Sequence, residues 1–131
     1  MKKKICIVIS TYNKDVTNKL YKSASKELNK SGIRKFDTIK VSGSFEIPVT
    51  IARLAKKYDA FVALGCIIKG QTANFDLISN AITIGIIQLS IINKKPIGNS
   101  ILTTFNKTQA LKRFDRGKEA VKAVLDVLKV K

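Results

Sequence analysis

Four short β-rich apolar runs recur along this chain, each followed by a polar turn and then a stretch with helical spacing. That alternation constrains the fold more than any other feature. Ile5 to Ser10 reads as a buried strand, and Val16 to Lys30 carries Val16, Leu20, Tyr21, Ala24 and Leu28 at helical spacing. Ser31-Gly32 stops that helix. Phe36 to Val41 is the second strand, and a helix is expected from Phe45 to Lys57, with Ser44 as N-cap and Pro48 in its first turn. Ala60 to Ile68 is the third strand, Asn74 to Asn93 a long helix, Pro96 to Leu102 the fourth strand. Thr108 to Lys129 is helical with a break near Asp115-Arg116-Gly117. Strands alternating with helices predict a parallel sheet covered on both faces. The 131 residues suit a single domain over positions 1–131.

In such a sheet, ligands bind beyond the carboxyl ends of the strands. Those ends are Ser10 to Lys14, Ser42 to Glu46, Cys66 to Thr72 and Leu102 to Phe105, and the four segments are expected to line one rim. The helix from Asn74 to Asn93 is apolar in nearly every direction, so it needs cover on more than one side. A subunit contact is the expected cover; neighbours in the same chain are the alternative. Asn74, Asp76, Asn80 and Gln88 interrupt the stretch, which argues against a membrane span.

Composition removes whole classes of chemistry. The chain has no histidine, so no Ser-His-Asp triad, Cys-His dyad or His-ligated metal can form. No metal site is expected. Cys6 and Cys66 both sit in apolar runs and read as buried free thiols of a cytoplasmic protein. The apolar stretch after Lys4 is too short for the core of a signal peptide. The net charge is +16, which invites anionic partners. Yet 21 of the 25 basic residues are Lys, their densest runs being Lys2-Lys3-Lys4, Lys56-Lys57 and Lys94-Lys95. Scattered lysines and few arginines read as solvated surface and argue against a nucleic-acid partner.

Two turns could carry chemistry. Lys69-Gly70-Gln71-Thr72 opens a helix with free backbone N–H groups, a natural anion site, although many strand-to-helix turns look the same. Arg113 could add a bidentate charge to that anion, with Arg116 as a second candidate; both could equally be surface arginines. In Ser42-Gly43-Ser44-Phe45-Glu46, the Glu46 carboxylate could accept from sugar-like hydroxyls or only stabilise a helix start. Tyr12 and Phe45 offer aromatic faces to a planar ring, or belong to the core.

Five blocks in order resemble the lumazine synthases of riboflavin biosynthesis, over essentially the whole chain. They are Ser10-Thr11-Tyr12-Asn13; Ser42 to Pro48; Tyr58-Asp59-Ala60 leading to Ala63 through Gly70; Pro96 to Thr103; and Gln109 to Arg113. The resemblance implies a flavodoxin-like three-layer α/β/α sandwich around a four-stranded parallel sheet. It implies condensation of 5-amino-6-(D-ribitylamino)uracil with 3,4-dihydroxy-2-butanone 4-phosphate, without cofactor, in a homopentamer, a decamer or a shell of sixty. It also implies roles: Tyr12 stacking on the pyrimidine; Ser44, Phe45 and Glu46 at the ribityl chain; Cys66, Ile67 and Ile68 beside the pyrimidine. Gln71, Thr72 and Arg113 fall on the phosphate site, with Arg116 near a familiar lysine, and Asn99 where many members place an aromatic from the neighbouring subunit. The departures are sharp: Asn74 stands where the family keeps its proton-transfer histidine, and Gln71 where a Glu is usual. The expected function is therefore a slowed lumazine synthase. The alternatives are a non-catalytic binding or shell-forming homologue and, less favoured, a basic RNA-binding protein.

Overall fold

The computed structural model describes residues 2–70 and 74–130. Its elements are β1 (Ile5–Ser10), α1 (Lys14–Lys30), β2 (Asp37–Val41), a 3-10 turn (Ser44–Glu46), α2 (Ile47–Leu54), β3 (Ala60–Ile68), α3 (Asn74–Asn93), β4 (Ile97–Thr104), α4 (Lys107–Lys112) and α5 (Arg116–Leu128). The four strands form one parallel sheet in the order β2-β1-β3-β4. β1 and β3 are central, and six and seven of their residues in succession are buried, which is why they read as unbroken apolar runs.

Each central strand feeds two cores because its side chains alternate across the sheet. Ile5, Ile7, Ile9, Val62 and Leu64 pack under α1, α4 and α5 with Leu20, Leu28, Ala110 and Val121. Cys6, Val8, Phe61 and Ala63 pack on the other face against Ile47 and Ile51 of α2 and Ile82 and Ile86 of α3. The molecule is the expected α/β/α sandwich of flavodoxin-like type. The crossovers close as expected: Gly32, at φ +88, takes the left-handed position that ends α1.

The helix expected from Phe45 to Lys57 is split instead. Ser44 lies inside the 3-10 turn rather than capping α2, and neither helical segment has a side-chain cap there. The Ser44 hydroxyl turns inward, 2.5 Å from where a Cβ on Gly65 would stand, and has no hydrogen-bond partner among the described residues. Pro48 does occupy the first turn of α2. β4 runs on past Leu102 to Thr104, so two polar threonines are strand residues paired with Ile67 and Ile68. The last helical stretch begins one residue early at Lys107. A reciprocal box stabilises its start: Asn106 Oδ1 accepts from the Gln109 N–H at 2.9 Å, and Gln109 Oε1 accepts from the Phe105 N–H at 2.9 Å.

The break before α5 has a packing reason. A Cβ on Gly117 would lie 2.3 Å from the Leu20 carbonyl oxygen, so α5 can approach α1 this closely only with glycine there. Gly117→Ala must push the two helices apart. We expect a loss of about 3 kcal/mol, at the upper end of overpacking costs, read as a fall of roughly 10 °C in Tm. An unchanged melting curve would mean that the helices separate freely.

Candidate functional site

The four carboxyl-end segments do meet at one rim. The Thr11 and Tyr12 N–H groups donate to the carbonyls of Val41 and Ser42, at 2.8 and 3.1 Å, which joins the first two segments. Asn13 joins the first to the third: its Nδ2 donates to the Cys66 carbonyl at 3.2 Å. Asn13 holds a left-handed backbone, φ 59 and ψ 50, which Asn tolerates better than other side chains. The Lys69 N–H donates to the Thr104 carbonyl at 2.9 Å, and the Lys69 ammonium stands 5.5 Å from the Phe105 ring centroid. These bonds tie the third segment to the fourth.

Around that rim, Tyr12 and Phe45 are exposed, not core: 70% and 62% of their surface meets solvent. Isolated large apolar side chains at a rim are ordinary, but two aromatic rings flanking one sheet end offer faces to a planar ligand. Glu46 is also exposed, and its Oε1 accepts from the Ser42 hydroxyl at 3.2 Å, which orients the carboxylate along the turn. Cys66 is buried at the floor, and burial pushes its thiol up to about 11, so it stays protonated at neutral pH and is no nucleophile there. Ile67 and Ile68 are half-buried beside it. Cys6, pushed up to about 12 by burial, is equally inert, and both thiols are free.

Arg113 lies at the carboxyl end of α4 and, with Phe75, Thr103, Thr104, Phe105 and Gln109, lines a small groove of about 250 Å³. It forms no ion pair among the described residues. Asn74 is exposed at the start of α3, next to Phe75 of that groove. Gln71 and Thr72 lie outside the described residues. Arg116 does not join the groove: its Nε stands 3.3 Å from Glu119 Oε2 one turn on. Asn99 does not reach the rim either. It sits on β4 opposite Ala63, five residues before the strand's end, and accepts from the Ile101 N–H at 3.0 Å. Five strand residues separate it from the rim by roughly 16 Å.

Two rim features escape sequence reasoning. One is Asn13, whose signal was an Asn ending a polar turn. The other is the ion pair of Asp15 and Lys107, which clips the start of α1 to α4; the Lys107 ammonium holds the Asp15 carboxyl below its ordinary range. Among the described residues no three Cys, Asp or Glu side chains cluster as a metal site would need.

The model of the family described as 6,7-dimethyl-8-ribityllumazine synthase matches residues 2–131. The chain belongs to the lumazine synthase family. Curated lumazine synthases agree along nearly its whole length. That of Albidiferax ferrireducens is 37% identical over 131 residues, covering 96% of this chain and 83% of its own. That of Mycobacterium avium is 38% identical over 126 residues, covering 91% and 79%. That of Corynebacterium glutamicum strain R is 34% identical over 130 residues, covering 94% and 81%. The lumazine synthases are transferases of riboflavin biosynthesis, and this chain carries their sandwich with its ligand rim assembled.

Proposed function

We propose that this chain condenses 5-amino-6-(D-ribitylamino)uracil with 3,4-dihydroxy-2-butanone 4-phosphate to 6,7-dimethyl-8-ribityllumazine, releasing phosphate and water. The observation that carries the reading is the convergence at one sheet end of two exposed aromatics, an oriented carboxylate and the Arg113 groove, in a chain of this family. Tyr12 and Phe45 would hold the pyrimidine, over a floor of Cys66, Ile67 and Ile68. Glu46 would accept from the ribityl hydroxyls, with Ser44 in the same turn. The Arg113 fork suits a phosphate oxygen pair, beside Gln71 and Thr72 of the neighbouring turn. Because Arg116 is paired with Glu119, it is a weaker candidate for that phosphate.

The chemistry is an amine adding to a ketone, followed by loss of phosphate. Positioning two reactants is worth about 7–11 kcal/mol. A general acid–base adds roughly 3–5 kcal/mol. Asn74 cannot exchange protons near neutral pH; it can only orient water or substrate by hydrogen bonds. The larger contribution survives without the histidine, so turnover is slow rather than absent. The leaving phosphate can take up protons itself.

The assembly reading is a homopentamer or a larger closed form. Its support is the apolar outer face of α3 and the distance of Asn99 from its own rim: a neighbouring rim is where Asn99 would act. A cytoplasmic location fits the two free buried thiols.

Mixing the protein with both substrates and following lumazine absorbance and fluorescence tests the reading. Product above the uncatalysed rate is expected. Substrate binding with no product would establish the second reading, a non-catalytic homologue, which the absence of any histidine favours.

A further inference from the structure

The lysines that look scattered along the sequence are gathered by the fold. In a parallel sheet every strand starts at the same edge, and here the starts are level: Ile5 pairs with Ala60, Cys6 with Asp37, and Phe61 with Ile97. Each strand is preceded by a basic run. Lys2-Lys3-Lys4 enters β1, Arg34-Lys35 enters β2, Lys56-Lys57 comes before β3, and Lys94-Lys95 comes before β4. Hydrogen bonds hold these approaches side by side: the Asp59 N–H donates to the Lys4 carbonyl at 2.8 Å, and the Phe61 N–H to the Pro96 carbonyl at 3.1 Å. Across four strands the basic edge is about 14 Å wide, and it lies a full strand, about 20 Å, from the ligand rim.

Helix chemistry explains only part of this. A parallel α/β crossover brings each helix C-terminus to the same edge, and cations are favoured there. Lys95 serves in that way, since its ammonium donates to the Ala55 carbonyl just past α2. Lys2-Lys3-Lys4 and Arg34-Lys35 follow no helix end directly, and all five are exposed. The first three runs line one open trough of about 880 Å³, in which seven basic side chains meet one carboxylate, Asp37. That carboxylate is already engaged by the Tyr58 hydroxyl at 2.5 Å. A second trough of about 690 Å³ shares Lys2, Lys3, Arg34 and Lys35 and adds Lys129. Crowding like charges this way is unfavourable unless an anion sits among them.

We propose that this amino-end edge of the sheet binds single-stranded nucleic acid through its phosphate backbone. Three observations favour that occupant. The site is an open trough that continues into a second one, a shape for a chain rather than a flat bilayer. Six of the seven cations in the larger trough are Lys, which neutralise phosphates without reading bases. Phe36 and Tyr58 are half-buried in the same trough and give aromatic surface beside the charges, the pairing that single-strand binders use. The reading revises the expectation from sequence, where the separated runs argued against nucleic acid.

The test is fluorescence anisotropy of the whole protein with labelled mixed-sequence RNA of about 20 nucleotides. Polyglutamate and phosphatidylserine vesicles are the competing probes. With about five phosphates neutralised, affinity should fall about 100-fold between 50 and 200 mM salt. Reversing Lys3, Arg34, Lys35 and Lys56 to Glu should weaken RNA binding at least tenfold, by roughly the 1.4 kcal/mol or more that tenfold represents. The milder set Lys3→Gln, Lys35→Gln and Lys56→Gln should weaken it about threefold, by the same salt logic. A charge-matched control, Lys19, Lys22, Lys118 and Lys122 to Glu, should lose less than threefold if placement matters more than total charge. Three results would overturn the proposal. They are no RNA binding at 50 mM salt, equal losses in the edge and control variants, or tighter binding of vesicles or polyglutamate than of RNA.

Discussion

Asn74→His should raise turnover about 100-fold, the lower end of what a positioned proton carrier supplies. That is about 2.7 kcal/mol of barrier. Position 74 is exposed at the start of α3 and adjoins Phe75, a wall of the Arg113 groove, so an imidazole there would stand beside the reacting centre. The helix start is the positive end of its dipole and disfavours the imidazolium, so the ring should be neutral at pH 7. The sign of the pH effect follows. The variant's gain should be lost as pH falls through the imidazole pKa, at or below about 6.5, and be complete above it. The native chain has no histidine, so the new ring would be the only imidazole in the NMR spectrum and its titration could be read directly. A variant that binds both substrates, titrates as described and turns over no faster would show that proton transfer at this position does not limit the reaction.

The sandwich was legible because its central strands are buried on both faces and therefore read as apolar runs. The rim was legible for the same topological reason, since parallel strands end together. What the sequence hid is instructive. Ser44 carries the chemistry of an N-cap, but close packing against Gly65 turns its hydroxyl inward, and local propensity cannot see a neighbour twenty-one residues away. The end of β4 was lost because Thr103 and Thr104 are polar; pairing with Ile67 and Ile68 keeps them in the sheet. Asn13 ties two strand ends by one hydrogen bond that no spacing rule foretells. The basic edge was hidden by distance along the chain. A complete strand–helix passage separates one run from the next, and only parallel pairing sets them side by side.

The outer face of α3 carries the other large effect. Ile82 and Ile86 are buried on the sheet, with Ile78 and Leu89 packed beside them. Leu77, Ile84 and Ile91, spaced seven apart, form a second stripe with Ile87, and these four are 70%, 56%, 67% and 55% exposed. Val49 of α2 adds to the same layer at 58%. By length and composition the helix could cross a membrane, with mean hydropathy 1.7 in its most apolar window. Yet one stripe is already committed to the sheet. Covering the other with a neighbouring subunit would gain about 1.5–3 kcal/mol for each Leu or Ile fully removed from water, so roughly 6–12 kcal/mol for the four. That is enough to hold an assembly after the cost of association. Ile84→Glu together with Ile87→Glu should place two carboxylates in that contact and leave a folded monomer in sedimentation, with near-native circular dichroism. Since Asn99 lies about 16 Å from its own rim, the monomer would have incomplete sites, and turnover should fall by about 10³-fold or more, over 4 kcal/mol. An assembly of unchanged size would move the contact elsewhere on the molecule. A folded monomer that kept its turnover would show that each chain carries a complete site.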